Sequence, residues 1–313
     1  MRSQYSFPAL TRSRRSARSS LDDFRKALPH AHIFVYDNAS TDNTSQEAQK
    51  AGAIVRHESN PGKGNVVRRM FGDIEADVYV LVDGDDTYDA SAAPKLVSEL
   101  VYTHKDMVNG SRVDDEVEAY RLGHRFGNRI LTGLVTSIFG HRFSDMLTGY
   151  RVFSRHFVKS FPALASEFEI ETELTVHALE LRMPVIEIET RYKSRPEGSE
   201  SKLRTYSDGL RILRTIATLV KEERPMAFFG GVSLLLALAS IGFAIPVITE
   251  YMATGLVPRL PTALLSTRLM LSALLSLFCR LILDTVTHGR REAKRMAYLA
   301  ADQISHRRQQ PHA

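Results

Sequence analysis

Short apolar runs alternate with amphipathic stretches along the first part of this chain. The runs that predict strands are residues 32–36, 53–57, 78–82 and 106–110. Helices are predicted between them, near residues 42–51, 64–75 and 91–103. An alternation of strands and helices is typical of a parallel sheet covered by helices. We therefore expect an α/β fold.

Two much longer apolar stretches follow. Residues 226–248 are 23 positions without a charge, enough for a helix that crosses roughly 30 Å of hydrocarbon. Residues 263–287 are also apolar but include Arg268, which could snorkel to the interface, and Arg280 and Asp284, which are spaced to pair on one helix face. The pattern predicts a transmembrane hairpin, and a buried hairpin of a soluble protein is the alternative.

Positive charges flank this hairpin on both outer sides. Basic residues come before the first stretch, at Arg211, Arg214, Lys221 and Arg224, and after the second, at Arg290, Arg291, Lys294 and Arg295. The connecting loop, residues 249–262, has Arg259 as its only basic residue. By the positive-inside rule the loop is extracytoplasmic, and the rest of the chain is cytoplasmic at the inner membrane. Residues 205–225 predict a juxtamembrane amphipathic helix, and residues 288–313 a basic cytoplasmic tail.

Charge and cysteine content narrow the function classes. The chain has 313 residues and a net charge of +5, with its basic clusters at the N-terminus, between residues 191 and 224, and after residue 288. This distribution suits anionic phosphates and membrane surfaces better than a nucleic-acid groove. A single cysteine, Cys279, excludes an internal disulfide and provides no zinc-site spacing.

Candidate chemistry lies at the end of the predicted strand 78–82. The sequence there continues Asp83-Gly-Asp85-Asp86. Open α/β sheets bind ligands at the carboxyl ends of their strands, and clustered carboxylates favour a cation such as Mg²⁺ or Mn²⁺. A solvated Asp-Gly turn is the alternative interpretation.

Four segments resemble family 2 glycosyltransferases. They are Val35-Tyr-Asp-Asn-Ala-Ser-Thr-Asp-Asn-Thr44, Asp83-Gly-Asp85, Asp145-Met-Leu-Thr-Gly-Tyr-Arg151 and Arg195-Pro-Glu-Gly-Ser-Glu-Ser-Lys202. The order of these motifs and the two apolar stretches are similar to the polyprenyl-phosphate sugar transferase branch, the dolichol-phosphate mannose synthase-like enzymes of the bacterial type. The resemblance covers residues 21 to 300 and implies a GT-A-like (Rossmann-like), mostly parallel sheet followed by two transmembrane helices.

The resemblance implies transfer of a sugar, with inversion, from a UDP- or GDP-sugar to a polyprenyl phosphate such as undecaprenyl phosphate. The product would serve cell-envelope glycan or glycoconjugate synthesis. The residues implied for the nucleotide are Asp37, Asn38, Ser40, Lys63 and Asp83. Asp83 and Asp85 would hold Mg²⁺ or Mn²⁺, which would stabilise the leaving diphosphate. Asn38 and Ser40 are equally typical of turns, and Lys63 of an ordinary Gly-Lys-Gly surface loop.

A second set of residues suits the acceptor phosphate, which carries nearly two negative charges. This set is Arg125, Arg129, Arg195, Ser199 and Lys202. Asp145 and Asp85 are the predicted catalytic residues, with Asp145 orienting the acceptor or acting as a base; a structural cap before Thr148 would have the same sequence. Glu169 and Glu171 predict the start of a helix with favourable N-terminal charge rather than a catalytic pair.

The N-terminus departs from the family pattern. The family opens with a central strand followed by Pro-x-Tyr-Asn-Glu-Glu, whereas here an Arg/Ser-rich run occupies residues 11–20. We expect residues 1–20 to be disordered or translated from a shifted frame, and residues 21–204 to form the cytoplasmic catalytic domain. Reading the encoding DNA in its other frames tests the frame-shift hypothesis.

Two other functions compete with this prediction. A processive polysaccharide synthase would need a Gln-x-x-Arg-Trp motif, and the chain contains no tryptophan. An inactive membrane-anchored homologue, acting as a binding or scaffold protein, would explain the atypical N-terminus. A homo-oligomer is compatible with either function.

Overall fold

The computed structural model describes residues 5–10, 14–38, 44–84, 86–114, 143–165, 169–192 and 225–307, together with Gly133, Thr218 and Lys221. The chain divides into two compact units. One comprises residues 1–209 and 293–313, and the other comprises residues 210–292.

The first unit is built on one sheet. Within the described ranges its strands are β1 (Tyr5–Leu10), β2 (His32–Asp37), β3 (Ile54–His57), β4 (Val78–Asp83), β5 (Met107–Asp114), β6 (Arg151–Ser154) and β7 (Val185–Tyr192). Their order across the sheet is β3-β2-β1-β4-β6-β5-β7. All neighbouring pairs are parallel except those of β6, which runs antiparallel to both β4 and β5. The predicted mostly parallel α/β sheet is confirmed.

Helices cover both faces of this sheet. The described helices are α1 (Arg14–Ala27), α2 (Thr44–Lys50), α3 (Lys63–Asp73), α4 (Ala93–Tyr102), α5 (Arg155–Ser160), α6 (Ile170–Glu180), α7 (Pro225–Thr254) and α8 (Leu260–Arg307). Successive residues of the buried strand β4 point to opposite faces. Tyr79 and Leu81 enter a core with α3, α5 and α6, while Val80 and Val82 enter a second core with α1 and α4. The two-sided burial explains why β4 is apolar throughout.

The N-terminal segment is part of this sheet. Strand β1 lies between β2 and β4, with Ser6 opposite His32 and Leu10 opposite Asp83. Helix α1 begins at Arg14, inside the Arg/Ser-rich run. The expectation that residues 1–20 are disordered is therefore wrong for residues 5–10 and 14–20. The alternative of a shifted reading frame stays a prediction for the encoding DNA.

The second unit is a helical hairpin. Helices α7 and α8 are, by length and composition, the two described helices long and apolar enough to cross a membrane. Gly255, with a φ of 71°, follows the end of α7, as is common after a helix C-terminus. Ser240 donates to the Ser266 carbonyl at 2.8 Å, and Ser266 donates back to the Ser240 carbonyl at 2.9 Å. Reciprocal bonds of this kind hold apolar helices together.

The hairpin differs from the prediction in two respects. The predicted spans 226–248 and 263–287 lie inside α7 and α8, but the connection between the helices is shorter than the predicted loop 249–262. The Asp284 carboxylate lies 3.7 Å from His288 Nε2 rather than against Arg280, whose Nε lies 3.1 Å from Met226 Sδ.

The expected tail, residues 288–313, is helical as far as Arg307, as the C-terminal part of α8. Residues 293–313 belong to the first unit. Lys294 Nζ lies 2.6 Å from Glu180 Oε2, and the Tyr298 hydroxyl donates to Asp106 at 2.9 Å. Because these partners are on α6 and beside β5, this part of the chain is a structural element of the sheet unit rather than a free basic tail.

Candidate active site

The carboxyl ends of β2 and β4 bring two predicted residues to one edge of the sheet. Asp37 ends β2 and Asp83 ends β4, with β1 between them. Asp37 is buried, and its carboxylate accepts a 2.5 Å hydrogen bond from the Ser45 hydroxyl and lies 3.5 Å from His57 Nδ1. The structure therefore fixes the orientation of Asp37 at the strand end where open α/β sheets bind ligands.

Asn38 organises the loop between β3 and α3. Its side-chain amide donates to the carbonyls of Glu58 and Asn60, and its carbonyl accepts from the Gly62 backbone N–H at 2.7 Å. Gly62 has a φ of 123°, which a residue with a Cβ rarely adopts. Of the two interpretations of Asn38, the structure supports the turn residue, which here places the first residue of α3.

That first residue is Lys63, which is buried rather than part of an exposed loop. Its ammonium lies 2.5 Å from Asp83 Oδ1 and 2.6 Å from Glu171 Oε1. Burial opposes the charge, but the two carboxylates outweigh this effect and raise the pKa of Lys63 above its ordinary value. Lys63 is thus a charged bridge between two carboxylates, and the surface-loop interpretation is wrong.

Glu171 is a site residue that the sequence did not identify. The predicted helix start is correct, since α6 begins at Ile170, but the Glu171 side chain is buried against Lys63 instead of lying in solvent at the helix end. Burial raises the pKa of its carboxyl. The sequence carried no specific signal for this contact, because Lys63 and Glu171 are 108 positions apart.

Gly149 allows the backbone just before β6, the neighbour of β4, to lie directly on Asp83. A Cβ at position 149 would overlap the Asp83 carboxylate. The Gly149 backbone N–H donates to the Tyr88 hydroxyl at 2.8 Å, which fixes this close approach. Asp83 is therefore held on one side by Lys63 and on the other by the backbone of the Thr148-Gly149 segment.

The Gly149→Ala variant is expected to be less stable by about 1–3 kcal/mol, because either Asp83 or the Gly149 backbone must move. Urea unfolding of the purified protein measures this change. The matched control is Gly72→Ala, an exposed position inside α3 where a Cβ meets no atom within 4 Å. Alanine there should stabilise the protein by up to about 1 kcal/mol. Equal effects of the two substitutions would contradict the assigned contact.

Arg151 secures the same segment from inside the core. It is fully buried and donates to the carbonyls of Met146 and Thr148 and to the Thr175 hydroxyl. Burial lowers the pKa of its guanidinium to about 10, so the group stays charged at neutral pH. The arginine of the Thr-Gly-Tyr-Arg motif therefore holds the loop before β6 in place, and in this arrangement it is not a phosphate ligand.

Asp145 is paired with Arg112, a residue that no sequence pattern identified. Arg112 Nε and Nη2 lie 2.6 and 2.9 Å from the two carboxylate oxygens, and the Leu147 backbone N–H donates to Oδ1. Burial raises the pKa of Asp145, but these hydrogen bonds outweigh it and hold the pKa below the ordinary value of 3.8. A carboxylate of this kind is a weak base. The geometry favours the orienting or structural alternative for Asp145 over the general base.

Several predicted residues lie outside the described part of the chain, so their roles stay predictions. They are Ser40, Asp85, Arg125, Arg129, Arg195, Ser199 and Lys202.

Of the two predicted metal ligands, Asp83 lies among the described residues, at the end of β4. Asp83 Oδ1 touches the Lys63 ammonium yet receives no hydrogen bond of good geometry, and the Asp83 side chain is 28% exposed. Among the described residues, no group of three or more His, Cys, Asp and Glu side chains could hold a metal ion. Asp83 would therefore need Asp85, and oxygens of a bound phosphate, to complete an oxygen-only shell.

Comparison with known sequences points to one family. Residues 8–161 match the model of glycosyl transferase family 2. An uncharacterized protein of Shigella flexneri is 54% identical over 155 residues, which are 50% of this chain and 95% of that protein. Glycosyltransferase AglJ of Haloferax volcanii is 32% identical over 227 residues, 72% of this chain and 75% of that protein.

Solved structures share the fold. Glucosyl-3-phosphoglycerate synthase from Mycobacterium tuberculosis, crystallised with Mn²⁺, UDP and phosphoglyceric acid, superposes with a TM-score of 0.56 at 20% sequence identity. The match covers 70% of this chain and 78% of that one. The likeness shows a GT-A-like fold for the sheet unit.

Proposed function

Because this chain belongs to glycosyltransferase family 2, we propose that it transfers a sugar from a UDP- or GDP-sugar to a polyprenyl phosphate. The transfer would take place at the cytoplasmic face of the inner membrane and would invert the anomeric carbon. The product would be a lipid-linked sugar for cell-envelope glycans or glycoconjugates.

The observation that carries this proposal is that one chain combines a glycosyltransferase domain with two helices long and apolar enough to cross a membrane. A glycosyltransferase sheet with Asp37 and Asp83 at its carboxyl edge is followed by α7 and α8, two helices long and apolar enough to cross a membrane. A family 2 enzyme with a soluble acceptor does not require such helices, whereas a polyprenyl phosphate lies in the bilayer. The basic residues that flank the hairpin favour a cytoplasmic sheet unit.

At the donor side, Asp83 and Asp85 would hold Mg²⁺ or Mn²⁺ on the diphosphate. The cation would act there as a Lewis acid that stabilises charge on the leaving phosphate. Asp37 would bind the base or ribose, with its orientation fixed by Ser45. Asn38 would act indirectly, since its hydrogen bonds shape the loop that leads to Lys63.

At the acceptor side, a phosphate oxygen is already a nucleophile, so a strong base is not required. The lowered pKa of Asp145 agrees with this chemistry. The Asp145–Arg112 pair would orient the acceptor, and the acceptor phosphate would be bound by a basic set outside the described residues: Arg125, Arg129, Arg195, Ser199 and Lys202.

A transfer assay tests the proposal. Purified protein in detergent is given radiolabelled UDP-glucose, GDP-mannose or UDP-N-acetylglucosamine with undecaprenyl phosphate, in Mn²⁺ and in EDTA. We expect label to enter the lipid fraction with one of these donors, and only in Mn²⁺.

The same assay separates the alternatives. Phosphoglyceric acid, which was crystallised with the M. tuberculosis synthase, serves as a soluble acceptor. Transfer to it and not to the lipid would replace the proposed acceptor. No transfer to either, with Mn²⁺ and UDP still bound, would support the inactive binding homologue.

A further inference from the structure

Asp83 and the two buried charges behind it, Lys63 and Glu171, form a row of three alternating charges. Lys63 Nζ lies between Asp83 Oδ1 and Glu171 Oε1, at 2.5 and 2.6 Å. The side chains of Lys63 and Glu171 are only 5% and 9% exposed, whereas that of Asp83 is 28% exposed. A ligand can therefore approach Asp83 from solvent, while Glu171 lies behind Lys63.

The net charge of these three residues determines how strongly Asp83 can bind a cation. Lys63 and Asp83 alone would form a neutral pair, and the ammonium would repel a divalent ion that approached the same carboxylate. The Lys63 ammonium, 2.6 Å from Glu171 Oε1, favours the ionised form of Glu171 against the effect of burial. Ionised Glu171 adds a second negative charge, so the three groups sum to −1. In a site of low dielectric constant, a change of one charge at a few ångströms alters cation affinity by at least tenfold.

The side chain of Glu171 is directed at Lys63. It is on α6, and the contact that joins it to the sheet edge is its bond to Lys63. Its second oxygen, Oε2, is buried without a hydrogen-bond partner in the described part of the chain. A buried carboxylate oxygen without a donor is costly, so a structural ion pair would be better served by a fully satisfied partner.

We propose that Glu171 is a positioning residue that offsets the charge of Lys63 and thereby allows Asp83 to bind the divalent cation of the nucleotide-sugar. The inference rests on the proposed role of Asp83 as a cation ligand. Lys63 is correspondingly an internal counter-ion that holds the Asp83 carboxylate in place, and not a free phosphate ligand.

Mn²⁺ binding by the full-length protein tests this inference, measured as the loss of the free Mn²⁺ signal in electron paramagnetic resonance. Glu171→Gln keeps the shape of the side chain and removes its charge. We expect it to weaken Mn²⁺ binding on the order of tenfold. The double variant Lys63→Met/Glu171→Gln restores the sum of −1, and we expect its Mn²⁺ affinity to return to within about threefold of the wild-type value.

Glu173→Gln is the matched control. Glu173 is on the same helix, but its carboxylate accepts from the Leu164 and Ala165 backbone N–H groups and not from Lys63. The Mn²⁺ affinity of the Glu173→Gln variant should equal that of the wild type. Thermal unfolding of each variant shows that the comparison is between folded proteins, and the double variant carries the test if Glu171→Gln alone does not fold.

Three results would overturn the inference. Unchanged Mn²⁺ binding in folded Glu171→Gln would show that its charge does not matter. Failure of the double variant to regain affinity would show that the effect does not pass through Lys63. If Asp83→Ala also leaves Mn²⁺ binding unchanged, the proposed cation role of Asp83 fails too; if it abolishes binding while Glu171→Gln has no effect, only the inference fails.

Discussion

Asp83→Ala is expected to lower the rate of sugar transfer at least about a hundredfold, since it removes a group that acts on the developing charge of the leaving phosphate. The carboxylate lies at the end of β4, where it contacts the Lys63 ammonium and packs against Gly149. Transfer to undecaprenyl phosphate at saturating Mn²⁺ measures the loss. Asp85→Ala is expected to have the same effect, as predicted from the Asp-Gly-Asp motif.

Asp22→Ala is the control for the loss of one carboxylate. Asp22 is exposed on α1, and transfer by this variant should match the wild type. Unchanged transfer in Asp83→Ala or Asp85→Ala, with folding retained, would defeat the metal assignment. A loss of transfer that accompanies a large fall in melting temperature would instead show damage to the sheet.

Arg151→Met is expected to destabilise the sheet unit by about 3 kcal/mol or more, because three buried acceptors each lose a hydrogen-bond donor at a cost of about 1–3 kcal/mol. The substitution leaves the carbonyls of Met146 and Thr148 and the hydroxyl of Thr175 buried without their donor. Methionine fills a similar volume, so the loss would arise from unpaired polar groups and not from a cavity. Chemical unfolding monitored by far-UV circular dichroism measures the change.

Arg69→Met is the matched control. Arg69 bonds Asp73 four residues along α3, and its side chain is 56% exposed. Removal of an exposed pair of this kind costs less than about 1 kcal/mol. If Arg151→Met lowered the free energy of unfolding as little as Arg69→Met, the segment from Asp145 to Gly149 would not depend on the hydrogen bonds that Arg151 donates.

Local pattern was enough to predict most of the sheet. Strands β2, β3, β4 and β5 and the helices between them fall within a few residues of the predicted ranges, except that β5 extends to Asp114. Strand β1 was missed because the segment that follows it, residues 11–20, is polar and unlike the family pattern. Its position is set by pairing with β2 and β4 on both sides, which is a long-range property.

The antiparallel strand β6 was missed for a similar reason. It has four residues, Arg151–Ser154, and its first residue is charged. The core accepts Arg151 only because three acceptors converge on its guanidinium from residues 146, 148 and 175. The motif shows only that an arginine is present. The acceptors around its guanidinium show that it holds the loop before β6 in place.

By itself, the sequence determined the α/β class, the family motifs, the strand end that carries Asp83, and two stretches long enough to cross a membrane, because these depend on periodicity, length and residues close together in the chain. The tertiary structure decided which charges meet. Lys63 contacts Glu171 across 108 positions, Arg112 binds Asp145, and β1 enters the sheet centre. Such contacts follow from packing and from the cost of leaving a buried charge unpaired, which no local pattern records.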